Sequence, residues 1–187
     1  MSARPGAPVL LARALALLAA TTMTAAALEI KWGSDDEFDE NKKEWKEIEA
    51  KIPAYPKDAN LVRFDAGPAT PHRFFIDTQS LSIGDDGVVR YILVVKTAGG
   101  ATNVSFEGIR CDTREQRYYA LGHANGSWTR ARNTQWRRIE YQDYNRQHGA
   151  LYTDFLCTGS STGKTTPATV KQVVERLKYG APPAIVE

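Results

Sequence analysis

The stretch Val88-Val89-Arg90-Tyr91-Ile92-Leu93-Val94-Val95-Lys96-Thr97-Ala98-Gly99-Gly100-Ala101 decides the fold. Its first ten residues are dense in β-branched and aromatic side chains, which suit a pleated, half-buried surface. Gly99-Gly100 offers the positive φ angles of a two-residue hairpin turn, so Ala101 to Cys111 is predicted to return antiparallel. That register sets Val95 opposite Val104, Leu93 opposite Phe106 and Tyr91 opposite Gly108. Arg90 then lies diagonal to Glu107, within reach of an ion pair.

Working outward, Arg73-Phe74-Phe75-Ile76-Asp77 reads as a short strand. Thr78 to Gly87 reads as a polar loop from which Leu81 and Ile83 pack inward. Downstream, Gln116–His123 and Ser127–Arg132 flank Asn125-Gly126, a strong hairpin signal. In that register Trp128 opposes His123 and Arg132 opposes Tyr119. The segment 149–157 carries Leu151, Tyr152, Phe155 and Leu156 and fits either element type. Thr166 as cap and Pro167 at the first helical position open a C-terminal helix. Val170, Val173, Val174 and Leu177 line its face, and Gly180 closes it. Near the other end, acids precede bases between Lys31 and Lys51, while Phe38, Trp45, Ile48 and Ile52 share one helical face that Pro53 ends. The expected class is α+β, an antiparallel β-sheet meander with an N-terminal and a C-terminal helix and one disulfide.

Residues 1–27 have the form of a secretory signal: Arg4, an apolar run from Leu10 to Ala20, then Ala25-Ala26-Ala27. Cleavage is expected between Ala27 and Leu28. Arg13 interrupts the run, which falls short of the roughly 20 apolar residues of a span. No cysteine adjoins the cleavage site to carry a lipid. Removing 27 of 187 residues leaves 160, one domain over 28–187. The 24 basic side chains lose Arg4 and Arg13, leaving 22 against 22 acids, so overall charge gives no reason to expect nucleic acid as partner. The expected location is the periplasm, with secretion as the alternative. In such an oxidising space Cys111 and Cys157 are expected to form a structural disulfide worth roughly 4 kcal/mol in the chain-entropy picture.

Recognisable catalytic patterns are missing. Gly159 to Thr165 resembles a phosphate-binding loop but is one residue short between its glycines, and Pro167 follows where a helix should run; a polar linker is the expectation. His72, His123 and His148 match no metal or triad spacing, and no serine sits in a Gly-x-Ser-x-Gly elbow. Asp77, Asp85 and Asp86 could hold calcium, but Asp85-Asp86-Gly87 has the composition of a turn. The chain is therefore expected to be no enzyme, without metal or cofactor. One local feature points to binding. Arg110, Arg114, Arg117, Arg130, Arg132, Arg137 and Arg138 accompany Tyr118, Tyr119, Trp128 and Trp136, residue types enriched at hot spots. If the second hairpin turns one face outward, Arg117, Tyr119, Trp128, Arg130 and Arg132 form a binding surface; otherwise arginine stems simply cover tyrosines.

Three runs carry a family resemblance: 75–81 (Phe-Ile-Asp-Thr-Gln-Ser-Leu), 86–91 (Asp-Gly-Val-Val-Arg-Tyr) and 103–111, ending in Glu107-Gly108-Ile109-Arg110-Cys111. From about Trp45 to Gly180 the chain resembles the cryptic neisserial protein-one-like family, exported proteobacterial proteins with no established activity. A more distant likeness is to surface-adhesin protein E, through the order Asp77, Ser80, Cys111, Trp136, Cys157. That likeness implies an antiparallel sheet whose terminal helix is held by the disulfide, a homodimer, and binding of host proteins. The function expected is a non-enzymatic binding or envelope-maintenance module whose partner is an envelope or extracellular protein. The alternative is a secreted adhesin-like protein binding host or matrix proteins.

Overall fold

The computed structural model describes residues 44–67, 70–140, 146–159 and 163–180. The chain divides into residues 1–42 and 43–187, and every described residue belongs to the second unit. The signal, its Ala27–Leu28 junction and positions 31–43 of the predicted first helix lie outside the described residues.

Three turns of one geometry set the sheet's register. Gly84 N–H donates to Val88 O at 3.1 Å, Thr97 N–H to Ala101 O at 2.8 Å and His123 N–H to Ser127 O at 2.9 Å. Each pair encloses three residues, the last a glycine in the left-handed region: Gly87 (φ 75°), Gly100 (φ 85°) and Gly126 (φ 83°). This is the three-residue hairpin with a glycine bulge rather than the predicted two-residue turn. One extra loop residue slides each ladder by one. Ile92 therefore faces Phe106, Tyr91 faces Glu107 and Arg90 faces Gly108, while Trp128 faces Gly122 and Arg130 faces Ala120. A one-residue slip exchanges sheet faces, so Arg90 and Glu107 lie on opposite sides and form no ion pair.

The strands β1 (Leu61–Phe64), β2 (Arg73–Ile83), β3 (Val88–Lys96), β4 (Thr102–Arg110), β5 (Glu115–Gly122) and β6 (Trp128–Arg130) form an antiparallel meander in chain order, with β7 (Arg137–Arg138) also on β5. β2 runs through the segment expected to be a loop. Three extra residues bulge between Asp77 and Ser82. Ser80 clamps the bulge: its hydroxyl donates to Asp77 O (2.8 Å) and accepts from Ile92 N–H (2.9 Å), repairing the ladder. Leu81 is buried and Ile83 packs on the core, as the sequence suggests.

Both sheet faces are covered, which is why β3 is buried along most of its length. On one face Phe64, Phe74, Ile76, Val89, Tyr91, Leu93 and Ile109 meet a helical layer. That layer is α1 (Arg146–Ala150), running on as a π-helical turn over Leu151–Leu156, and α2 (Val170–Tyr179), which contributes Val173 and Leu177. Between them β8 (Cys157–Gly159) pairs with β9 (Thr165–Pro167), so the expected linker joins two short strands. Thr166 is a strand residue. The α2 cap is Thr169, whose hydroxyl accepts from Gln172 N–H while the Gln172 side chain accepts from Thr169 N–H. Cys111, just past β4, and Cys157, opening β8, form the disulfide, with Cα atoms 5.6 Å apart. It fastens the helical layer to the sheet.

On the second face Ile92, Val94, Val104, Phe106 and Ala120 are covered by Ala50, Ile52 and Tyr55. These belong to residues 44–57, which run without helix or strand. The predicted N-terminal helix is thus absent over its described part, and the segment crosses the sheet as a strap. Tertiary anchoring overrides a 3–4 spacing that is helical only in pattern.

Candidate binding face

The register places Val88, Arg90 and Ile92 of β3 on the strapped side, together with Gly108 and Arg110 of β4. A bulge between Phe106 and Glu107 leaves Tyr119 as the extra residue on β5. Arg117, Tyr119 and Ala120 therefore all address the strap, while Tyr118 turns to the helical side and meets the His148 ring edge-on. Gly108 makes the room: a Cβ there would stand 2.7 Å from the Tyr119 hydroxyl. Gly122 does the same for the strap, since its Cβ would meet Tyr55 Cε2 at 2.9 Å.

Two carboxylates organise the face. Glu47, in the strap, accepts from the Arg117 guanidinium, from Tyr119 Oη at 2.7 Å and from Trp136 Nε1 at 3.1 Å. Arg90 Nη2 lies 3.8 Å from it. Asp86, in the β2–β3 turn, accepts from both Arg90 terminal nitrogens (3.1 and 2.6 Å) and from Ile48 N–H (2.8 Å). Arg90 also donates to Ile48 O at 2.9 Å. Trp45 Nε1 donates to Asp86 O, and the Arg110 guanidinium stacks 3.7 Å over the Trp45 ring. Burial pulls the Asp86 carboxyl upward, but hydrogen bonds from Arg90, Ile48 and Val88 leave it below its usual value. Burial first, and then the bond to Glu47, raise the Tyr119 phenol, which therefore stays a donor.

The five residues expected to form a binding surface are divided. Arg117 and Tyr119 are engaged with Glu47. Trp128 packs against Tyr55, ring centroids 5.4 Å apart. Arg130 is exposed and lines a cleft of about 270 Å³ with Arg117, Tyr119, Thr134 and strap residues Glu47 to Ala50. Arg132 is exposed beyond the end of β6. Sequence reasoning missed Trp45, Glu47, Asp86 and Arg90 as parts of this face, whereas Arg110 and Trp136 stood in its wider arginine–aromatic group. Glu47 lies 70 positions from Arg117 in a segment that pairs with no strand, so neither spacing nor register pointed to it.

The other face holds a second cluster. Glu107 Oε1 accepts from Ser105 Oγ at 2.5 Å; Oε2 accepts from Tyr91 Oη at 3.0 Å and meets His148 Nε2 at 2.8 Å. Tyr91, Glu107 and His148 are at most 1 % exposed. Serine and histidine sit on different carboxylate oxygens, an arrangement that pins α1 to the sheet. His72 and His123 lie elsewhere, bonded to Ala98 N–H and Thr129 Oγ1. Among the described residues no group of three or more His, Cys, Asp or Glu could hold a metal ion, and no helix is long and apolar enough to cross a membrane.

Together these features define a disulfide-braced antiparallel meander with a helical layer on one face and a side-chain-pegged strap on the other. The chain belongs to the CNP1-like family, whose sequence profile matches residues 40–178. It is 27 % identical over 157 residues to Cryptic neisserial protein 1 of Neisseria gonorrhoeae, an alignment covering 74 % of each chain. No solved structure matches it.

Proposed function

We propose that the chain is exported to the periplasm and acts there as a non-enzymatic binding or envelope-maintenance module through its strapped arginine–aromatic face. The observation that carries this reading is the cleft of about 270 Å³ where Arg117, Tyr119, Arg130 and Thr134 converge beside the strap. Arginine and tyrosine are among the residue types enriched at the hot spots of protein recognition. Export is supported by the signal-like residues 1–27 and by the buried Cys111–Cys157 bond, which suits an oxidising compartment. The test pairs fractionation with capture. Intact mass should show a chain starting at Leu28 in periplasmic extract. The oxidised protein should retain an envelope partner that an Arg130→Glu, Arg132→Glu variant with unchanged melting temperature does not. A retained signal, or equal capture by both proteins, refutes the proposal; mature protein on cells or in medium favours the secreted adhesin-like alternative.

A further inference from the structure

Glu47 lies in its surroundings as a ligand lies in a receptor. Four groups from β3, β5 and the approach to β7 (Arg90, Arg117, Tyr119 and Trp136) converge on its carboxylate. Glu47 itself belongs to a segment that contributes no strand to the sheet. The next residue is read through its main chain on both sides: Asp86 accepts the Ile48 N–H and Arg90 donates to the Ile48 carbonyl. A carboxylate followed by a free amide and carbonyl is what an extended acidic peptide presents, and a small carboxylic acid lacks the second half. Further on, Gly122 leaves a seat for an aromatic ring, filled by Tyr55.

Two further observations show that the strap does not use everything this face offers. The buried Nε atoms of Arg90 and Arg117 find no acceptor among the described residues. Clefts flank the strap, one of about 270 Å³ beside Arg117 and one of about 330 Å³ beside Arg90, Ser80 and Ser82. On the sheet side Asp86 offsets Arg90, and Asp112 and Glu115 offset Arg110. Arg117, by contrast, is paired with the strap's own Glu47 and shares its cleft with Arg130, so the face is cationic there once Glu47 leaves and complementary to an acidic chain.

We infer that this face is a receptor for an extended, acidic segment of a partner protein, and that Glu47 occupies its carboxylate subsite in cis until such a segment replaces it. This deepens the binding reading above and rests on it. The strap is then an internal competitor, present at the roughly millimolar effective concentration of a short tether.

The probe is a fluorescein-labelled peptide with the sequence of residues 44–55, used beside the same peptide carrying Gln in place of Glu47. Each is titrated by anisotropy against the full oxidised chain and its Glu47→Ala variant. The variant should bind the Glu peptide at least tenfold more tightly than the wild-type chain does, and at least tenfold more tightly than it binds the Gln peptide. Adding Arg117→Ala should abolish that preference. Equal affinity for the two peptides, or no binding of either, overturns the inference. If circular dichroism shows Glu47→Ala unfolded, the wild-type chain with millimolar peptide decides by the same Glu-over-Gln preference. A peptide-sensitive dimer formed by strap exchange assigns the site to a second copy and overturns the partner assignment. Failed envelope capture with successful peptide binding removes the envelope reading alone; the reverse removes this one.

Discussion

Replacing Glu107 by leucine should destabilise the protein by about 4 kcal/mol. The carboxylate serves three groups, the Tyr91 and Ser105 hydroxyls and His148 Nε2, at 3.0, 2.5 and 2.8 Å. Burial, then the nearby Glu107 charge, push the Tyr91 phenol well above its usual value, so it remains a donor. Leucine strands all three groups where water does not reach. At about 2 kcal/mol for each orphaned polar group the loss is about 6, and burial of the leucine side chain returns about 2. Glu107→Gln keeps the shape and one acceptor, and the hydroxyls can turn to accept, so it should cost about 1–2 kcal/mol. The assay is urea unfolding of the oxidised protein followed by tryptophan fluorescence, with the m-value unchanged. A double-mutant cycle isolates the cause: Tyr91→Phe should cost about 1.5 kcal/mol in the wild-type chain and almost nothing beside Glu107→Leu. A leucine variant within about 1 kcal/mol of wild type, or the same Tyr91→Phe cost in both backgrounds, refutes the argument.

Reduction of Cys111–Cys157, which closes a 46-residue separation, should lower stability by about 4 kcal/mol, read as a shift in urea midpoint with and without reductant. Gly122→Ala should push Tyr55 off Trp128 and cost about 1–3 kcal/mol, visible as changed tryptophan emission in the folded state. Acidification should loosen the strap through Asp86. Its folded value lies below the ordinary 3.8, so the stability it contributes is full above 3.8 and lost as pH falls through the folded value. Emission from Trp45 and Trp136 should report that loss below about pH 4, and Asp86→Asn should abolish it. Asp77 has the opposite sign, because burial raises it despite the Gln79 N–H. Its buried charge costs stability at neutral pH, and Asp77→Asn should raise the melting temperature there while keeping the Gln79 bond.

What the sequence made legible was local or covalent. The β-branched density of Val88–Lys96 marks a strand wherever it is placed, and two cysteines behind an export-like leader leave one pairing. Register was out of reach by one residue, because Gly99-Gly100 and Asn125-Gly126 suit two- and three-residue loops alike. The choice falls on Ala98 and Ala124, which complete the loops without any special residue type. That single step put Arg90 and Glu107 on opposite faces, the strapped and the helical. Arg117, Tyr119 and Trp128 could be picked out as an arginine–aromatic group. Glu47, which two of them grip, could not, since it lies 70 positions from Arg117 inside a segment whose Trp45, Ile48 and Ile52 mimic a helix.

The two faces of the sheet therefore differ in how firmly they are closed. The helical side is held by the disulfide, by interlocked apolar side chains and by a carboxylate with three buried partners, so opening it means unfolding the domain. The strap adds no ladder to the sheet; Ala50, Ile52 and Tyr55 cover its second apolar cluster, and side-chain pegs fix its place: Glu47 on its donors, Ile48 on Asp86 and Arg90, Tyr55 on Trp128. A chain that replaced the strap as proposed would have to supply equivalents of these pegs and of that apolar cover. Segments held in this way belong to the low end of a protein's range of local opening energies. The disulfide bears on this difference although it touches neither Glu47 nor Arg117, because it secures the layer that the proposed exchange must leave closed.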